Sequence, residues 1–454
     1  MSFTPVAVDL FAGCGGISEG FTRAGYRVTA YLEKDRCACE TLRTRVMFHE
    51  LSNLGRRGWY RRYFRGEICC EDIRRKFSEI SDLIDARVIE GEFGEHRYAD
   101  LISSIRNAQK VQQAEKLHVL VGGPPCQAYS VVGRSRDEHR MEQDERHFLY
   151  QHYLSVLADL RPDFFVLENV PGLLSAKAEG EETLQRMLKD FAAVEPAYEV
   201  APSYEEFRTD PHSYLLDSSR FRVPQRRRRV LLIGYRRALA KERPSVQTVF
   251  TKLLDWQRRN RRRGVLTVED AIGDLPRLEP GKGNDGWFGD YTRTEDLKPY
   301  QIQMRGQSPG VCNHKARTHM LSDLDRYKFF ILSHKNGNRA TTLEDLQKER
   351  PDLMPDHKNT DDFIDRFRVQ WFDRPSSTIM SHISKDGHYY IHPDISQCRS
   401  FTVREAARCQ SFADNFKFEG PRTEQFKQVG NAVPPRMAAA VARVLLDELR
   451  AIYK

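Results

Sequence analysis

Apolar runs and helical spacings alternate through the first half of the chain. "PVAVDLF" (residues 5–11) is a short, continuous apolar run, the pattern of a strand covered on both faces. The turn "AGCGG" follows. Ile17, Phe21 and Ala24 then recur at helical spacing as far as Gly25, a stop signal. "YRVTAYLEKD" predicts a second strand ending in Glu33 and Asp35. "LHVLVGG" (117–123), "DFFVLENV" (163–170) and "RVLLIGY" (229–235) predict three more. Leu149, Tyr153, Val156, Leu157 and Leu160 share one side of a helix over 148–162. Strands alternating with helices predict an α/β fold with a doubly wound, mostly parallel sheet.

The texture changes near Arg236. From there to about Asp373 the chain is polar, rich in His, Asn, Gly and Pro, and weakly periodic. That predicts a second, smaller, loop-rich domain. Regular structure resumes after "DRPSSTIMS", and the last element is an amphipathic helix with Pro435 in its first turn. The expected division is 1–235, 236–373 and 374–454. An inserted helical region at about 74–116 interrupts the first part, where a doubly wound sheet needs far fewer residues. A chain of 454 residues agrees with two domains.

Composition narrows the class. A chain 40% hydrophobic and 30% charged is an ordinary globular protein. No run reaches the length of a membrane span, and the N-terminus lacks the basic start of a signal peptide. The expected location is the cytoplasm. Nine cysteines without framework spacing predict reduced thiols, each by default a small buried hydrophobe. "PPCQ" has no partner cysteine at metal spacing and "CNHKARTH" (312–319) lacks it too, so no metal is expected. Lys plus Arg number 72 against 64 acids, a net charge of +8. The clusters matter more: "RRGWYRRYFR" (56–65), "RRRR" (226–229) and "WQRRNRRRG" (256–264). Arginines interleaved with aromatics suit phosphate contact and base stacking; the bland alternative is a solvated helix face.

Candidate chemistry gathers at predicted strand ends, where α/β folds bind ligands. Gly13, Gly15 and Gly16 let the backbone approach a ligand after the first strand. Glu33, twenty residues beyond Gly13, stands where a carboxylate accepts ribose hydroxyls. Asp72 is a candidate to accept from an adenine amino group. In "VGGPPCQAYS" (121–130) two glycines permit a turn and two prolines fix φ, a rigid mount for Cys126. Glu168 ends the next strand. A thiol and a carboxyl on adjacent strand ends, facing a nucleoside cofactor, suggest covalent activation of an electron-poor ring.

These residues, in order and over nearly the whole chain, resemble the DNA (cytosine-5) methyltransferase family. The resemblance rests on "DLFAGCGG", Glu33, "EDI", "GGPPCQAYS", "LENV", "PQRRRR", "TVREAARCQSF" and "QVGNAVPP". It implies a Rossmann-like S-adenosylmethionine-dependent methyltransferase fold, with 236–373 as target recognition domain. It implies Cys126 as nucleophile on C6 of a flipped cytosine, Glu168 on the N3/N4 edge, and Arg227 or Arg229 on O2. Cofactor contacts are implied at Phe11, Gly13, Gly15, Gly16, Glu33, Lys34, Asp72, Ile73, Pro125, Leu149, Asn431 and Val433. The implied partner is double-stranded DNA, with a cognate restriction endonuclease acting separately on the same word; a monomer in the bacterial cytoplasm or nucleoid is expected. One alternative is a transfer-RNA cytosine-5 methyltransferase, whose characteristic Cys-Phe-Thr is missing here. The other is a catalytically silent DNA-binding regulator, which has no need of Cys126, Glu168 and Arg227 together.

Overall fold

The computed structural model describes residues 3–94, 97–124, 149–178, 181–202, 213–333, 341–355 and 366–453. Alternate side chains of its central strands point to opposite faces, and both faces are roofed by helices. Ala7, Val119, Val121, Phe164, Val166, Leu231 and Ile233 enter one apolar core. Their neighbours Val6, Val8, Leu120, Phe165, Leu167, Val230 and Leu232 enter another. That is why the strands read as unbroken apolar runs and not as alternations.

The strands are β1 (Val6–Leu10), β2 (Arg27–Glu33), β3 (Val88–Glu90), β4 (Val119–Gly122), β5 (Phe164–Asn169), β6 (Tyr198–Ala201), β7 (Leu215–Asp217) and β8 (Arg228–Arg236). They form one sheet in the order β3-β2-β1-β4-β5-β8-β6, with β7 also pairing β8. The first five are mutually parallel, whereas β8 runs antiparallel to β5, β6 and β7. Helices α1 (Gly16–Arg23) and α2 (Arg36–Asn53) cover the first face.

The expected insertion at 74–116 is corrected. The helical excursion comes earlier, as α3 (Arg57–Phe64), α4 (Cys70–Lys76) and α5 (Ser78–Arg87). The chain then enters the sheet as β3 beside β2, and α6 (Tyr98–Val111) crosses the second face toward β4. A strand of three residues is too short to show a period. On the same face, α7 (Leu149–Leu160) and α8 (Thr183–Ala193) follow.

The boundary at Arg236 also moves. Leu239, Val246, Val249, Phe250 and Leu253 join the first core, the last three from α9 (Val249–Arg261). A separate core begins with Leu266 and α10 (Val268–Ile272) and takes in α11 (Pro299–Arg305). Beside it lies a hairpin of β9 (Gly283–Gly289) and β10 (Val311–Lys315). A satellite cluster forms around α12 (Leu321–Ser333).

Residues 374–431 lie mostly in the second core but also reach the first part of the chain: the Thr41 hydroxyl donates to Gln428 Oε1 at 2.7 Å, and Arg45 Nη1 donates to Asn415 Oδ1 at 3.2 Å. Their helices α13 (Val403–Cys409) and α14 (Arg422–Asn431) complete the second core. Buried arginines fasten it: Arg408 lies 2.6 Å from Asp414 and 2.9 Å from Asp274, and Arg399 lies 2.7 Å from Glu405. The last helix, α15 (Pro435–Ile452), joins the first core and packs on α1. Glycines permit that approach. A Cβ on Gly16 would lie 2.3 Å from the Val433 carbonyl oxygen, and one on Gly20 2.5 Å from the Ala438 Cβ. Among the described residues no helix is long and apolar enough to cross a membrane.

Candidate active site

The chain leaves β1 in a left-handed turn. Phe11 and Gly13 both have φ of +55° and Gly15 has +87°. For glycine this conformation is free, but for a bulky aromatic it costs about 1–3 kcal/mol, a strain found where function dictates backbone shape. The Ala12 N–H holds the turn by donating to the Leu32 carbonyl at 3.0 Å. Glu33 completes the stitch. Its Oε2 accepts from the Gly13 N–H at 2.7 Å, and its Oε1 from the Lys34 and Asp35 N–H groups at 2.9 and 2.8 Å. Lys34 is exposed and pairs with Glu92 just past β3, Nζ to Oε1 2.7 Å.

Above the turn there is room. A Cβ placed on Gly13 would meet nothing within 4 Å. The Phe11 ring stands 5.6 Å from Phe93, which itself stacks on His152 at 5.4 Å. Below the turn lies an unmatched acid. Asp9 is 1% exposed, and Ser18 faces its carboxyl from outside good hydrogen-bond geometry. Burial pushes the Asp9 carboxyl up to about 7. Ser18 opposes the rise in part, and the charge of Glu33 adds to it. Neither Asp9 nor Phe93 is singled out by the sequence reasoning. Phe93 lies outside any periodic run, and a buried acid looks like any strand-end acid.

One predicted cofactor pair is corrected. Asp72 lies on α4, half-buried, where its carboxylate accepts from the Cys69 N–H at 3.0 Å and caps the helix. Ile73 is fully buried in the first core. Neither follows a strand of the sheet. The residues that do follow β3 are Gly91, Glu92 and Phe93. The other residues expected at the cofactor divide. Gly16 packs against Val433, which is buried. Asn431 is exposed at the end of α14, and Leu149 is half-buried at the start of α7. Pro125 and Cys126 lie outside the described residues.

At the end of β5, Glu168 meets Arg229, whose Nε lies 2.7 Å from Oε1; the two side chains are 13% and 12% exposed. Gly123 makes space for the carboxyl, because a Cβ there would sit 2.9 Å from Oε2. Arg227 and Arg229 do not share a task. The Arg227 side chain is buried, and its Nη1–H donates to the Ile379 carbonyl at 2.6 Å, with Nη2 reaching the Asn431 carbonyl at 3.5 Å. Thus Arg227 ties the sheet to the second core, while Arg229 stands beside the candidate glutamate.

The profile of the C-5 cytosine-specific DNA methylase family matches residues 6–54 and 93–447. The chain belongs to this family. The unmatched stretch, 55–92, is the helical excursion with β3, so the C-5 methylase scaffold is otherwise continuous here. The chain is 38% identical to the type II methyltransferase M.Bpa9945I of Bacillus paralicheniformis, over 97% of this chain and 98% of that protein. It is 30% identical to the type II methyltransferase M.DdeI of Desulfomicrobium norvegicum, over 96% of this chain and 87% of that one. The fold matches a solved prophage-encoded E. coli protein thought to be a DNA modification methyltransferase. The TM-score is 0.56 and the identity 20%, over 98% of this chain and 99% of that one.

Methyltransferases generally draw the methyl group from S-adenosylmethionine. The residues at the ends of β1 to β3 fit such a nucleoside. The space above Gly13 is open, Glu33 Oε2 accepts only one N–H, and two aromatic rings flank the turn.

Proposed function

We propose that this methylase transfers a methyl group from S-adenosylmethionine to carbon 5 of a cytosine flipped out of double-stranded DNA, through a covalent Cys126–C6 bond. It acts in the bacterial cytoplasm as a monomer and as the modification half of a restriction-modification system, beside a separate cognate endonuclease. The names of its type II relatives support that setting.

The observation that carries the chemistry is the sheltered Glu168–Arg229 pair at the strand ends, next to Gly123, two residues before Pro125, which Cys126 follows in the sequence. A cytosine inside a duplex exposes neither ring face, so it must leave the stack at a cost of about a few kcal/mol. Glu168 accepts from the N4 amino group and holds a proton against N3, and Arg229 donates to O2. Both draw electron density away from C6. The Cys126 sulfur forms a bond to C6, and the electrons of the C5–C6 double bond become available at C5. When bound, S-adenosylmethionine would supply an electrophilic methyl group to C5, its sulfonium sulfur keeping the bonding electrons. Loss of the C5 proton to a base or water then restores the double bond and expels the thiolate. Glu33, Phe11, Gly13, Gly15, Lys34, Leu149 and Pro125 line the cofactor's place; Arg227, Gly16, Asn431 and Val433 act by holding the cores together around it.

The other thiols support this assignment by contrast. Burial pushes Cys39 and Cys409 up to about 12 and Cys70 and Cys312 up to about 11, and the remaining described cysteines are also raised. A thiol held neutral is a poor nucleophile. The test is a trap. With 5-fluorocytosine in the target word, C5 carries a fluorine that cannot leave as a proton, so protein stays bonded to DNA in denaturing gels. The adduct should require S-adenosylmethionine and disappear in Cys126→Ser. Trapping by Cys126→Ser, or labelled methyl entering transfer RNA and not duplex DNA, would overturn the proposal.

A further inference from the structure

A second polar site lies beside the start of β8. A cavity of about 190 Å³ is lined by Arg220, Leu254, Gln257, Arg258 and Arg261. Three of its five walls are guanidinium side chains. Arg258 shares its charge with Asp255, Nη1 to Oδ1 2.9 Å, at a well-exposed pair. Arg220 and Arg261 have no acidic partner among the described residues. Gln257 is the informative member. It is 5% exposed, and its Nε2 is buried with no hydrogen-bond acceptor. A buried amide donor without an acceptor is costly, and native structures rarely leave one without a reason.

The cavity is built from elements that are fastened together. Asp217 accepts from the Ser219 N–H at 2.9 Å and so shapes the turn that carries Arg220. Arg222, at the end of that turn, donates from Nη1 to the Arg263 and Gly264 carbonyls at 3.1 and 3.0 Å, which pins the end of α9 beside it. The C-terminal dipole of α9 attracts cations and not anions, so any anion here is held by side chains alone. Arg228 pairs in register with Asp217, and Leu231 with Glu168. The cavity therefore opens at the same end of the sheet as the Glu168–Arg229 pair.

We propose that Arg220, Gln257, Arg258 and Arg261 form a phosphate site that grips the DNA backbone to one side of the target base. This rests on the DNA reading above. The guanidiniums supply charge and forked donors, and the Gln257 amide supplies the inner donor that gives the site a fixed depth.

The test compares the full-length wild type with Gln257→Leu, Arg261→Ser and, as a control, Arg237→Ser, an exposed arginine paired with Glu199 at the opposite end of β8. Binding to a labelled duplex is measured over a salt series, with thermal melts of each protein. Arg261→Ser should lower the slope of log affinity against log salt by about 0.9 if it loses one phosphate. Gln257→Leu should weaken binding about tenfold at every salt concentration without lowering the melting temperature, because leucine leaves no orphan donor. Arg237→Ser should change neither. Unchanged duplex affinity and slope in both site variants would overturn the proposal. Inorganic phosphate in the melts separates the sources. Protection of the wild type but not of Arg261→Ser, with duplex binding unaffected, would make this a free-phosphate site and refute the backbone assignment. Methyl transfer by the wild type to duplex DNA is scored separately, so a failure of the enzymatic reading is recognised as such.

Discussion

Replacing Asp9 with asparagine should stabilise this methylase, and by an amount that depends on pH. The carboxyl is buried with only weak contacts to Ser18, and burial holds its folded pKa at about 7 against an ordinary value of 3.8. The sign follows from proton binding. A folded state that holds its proton more tightly than the unfolded chain is favoured at low pH, so the contribution is intact below about 3.8 and is lost as pH rises toward 7. Linkage between those two values gives a cost of about 1.7 kcal/mol at pH 5 and about 4 kcal/mol at pH 8. Asparagine has the shape of the neutral acid and no charge to bury. Chemical denaturation of both proteins at each pH isolates the difference, since every other titrating group is common to them. Asp9→Asn should gain about 1.7 kcal/mol at pH 5 and roughly 2–3 kcal/mol more at pH 8, the excess set by the linkage slope. An equal effect at both pH values, or a loss at pH 8, would show that Asp9 is not an unmatched buried acid. A parallel measurement of S-adenosylmethionine binding would show what the wild type gains from keeping it, because proteins accept such costs mainly where activity depends on them.

Five further substitutions separate chemistry from scaffolding. Arg229→Ala should lower the methyl-transfer rate by about 100- to 1,000-fold with little change in melting temperature, whereas Arg227→Ala should cost about 1–3 kcal/mol of stability by stranding the Ile379 carbonyl. Gly13→Ala should weaken cofactor binding in a calorimeter while costing the fold only about 1 kcal/mol, since its Cβ meets open space in a left-handed backbone. Gly16→Ala should instead destabilise the protein by about 1–3 kcal/mol or more, its Cβ meeting the Val433 carbonyl. Asp414→Ala should cost about 3–5 kcal/mol in denaturation experiments by leaving the Arg408 guanidinium short of a buried partner.

The central sheet is legible because its strands are long apolar runs closed by distinctive turns. β1, β2, β4 and β5 fall inside the runs that predict them, and β8 exceeds its run by one residue at each end. β3 escapes because three residues at a sheet edge carry no period, and "EDI" at 71–73 takes its place in the reading. An acid after a strand and an acid in the first turn of a helix look alike in sequence, and here Asp72 is the second kind. The second core is obscured differently. Its helices are short, and much of its interior is polar: Arg399, Arg404, Arg408, Asp274, Glu405 and Asp414 are buried and paired. Periodicity registers apolar faces, so a core built partly on ion pairs reads as a loop.

The paired arginines show where sequence spacing stops being informative. Positions 227 and 229 share one side of an extended segment by the alternation of strands, which suggests a shared role. Yet the strand emerges from between two cores, and the depth at which each side chain leaves it differs. Arg227 leaves while still enclosed, so its donors meet the backbone carbonyls of Ile379 and Asn431. Arg229 leaves two residues further on, where β8 has come alongside β5, so it meets Glu168. The same guanidinium chemistry thus becomes a strut at one position and a candidate substrate contact at the next. The geometry also couples them: the Ile379 and Asn431 carbonyls that Arg227 holds belong to the second core, so a shift of that core would reach the base of β8 and the Glu168–Arg229 pair together.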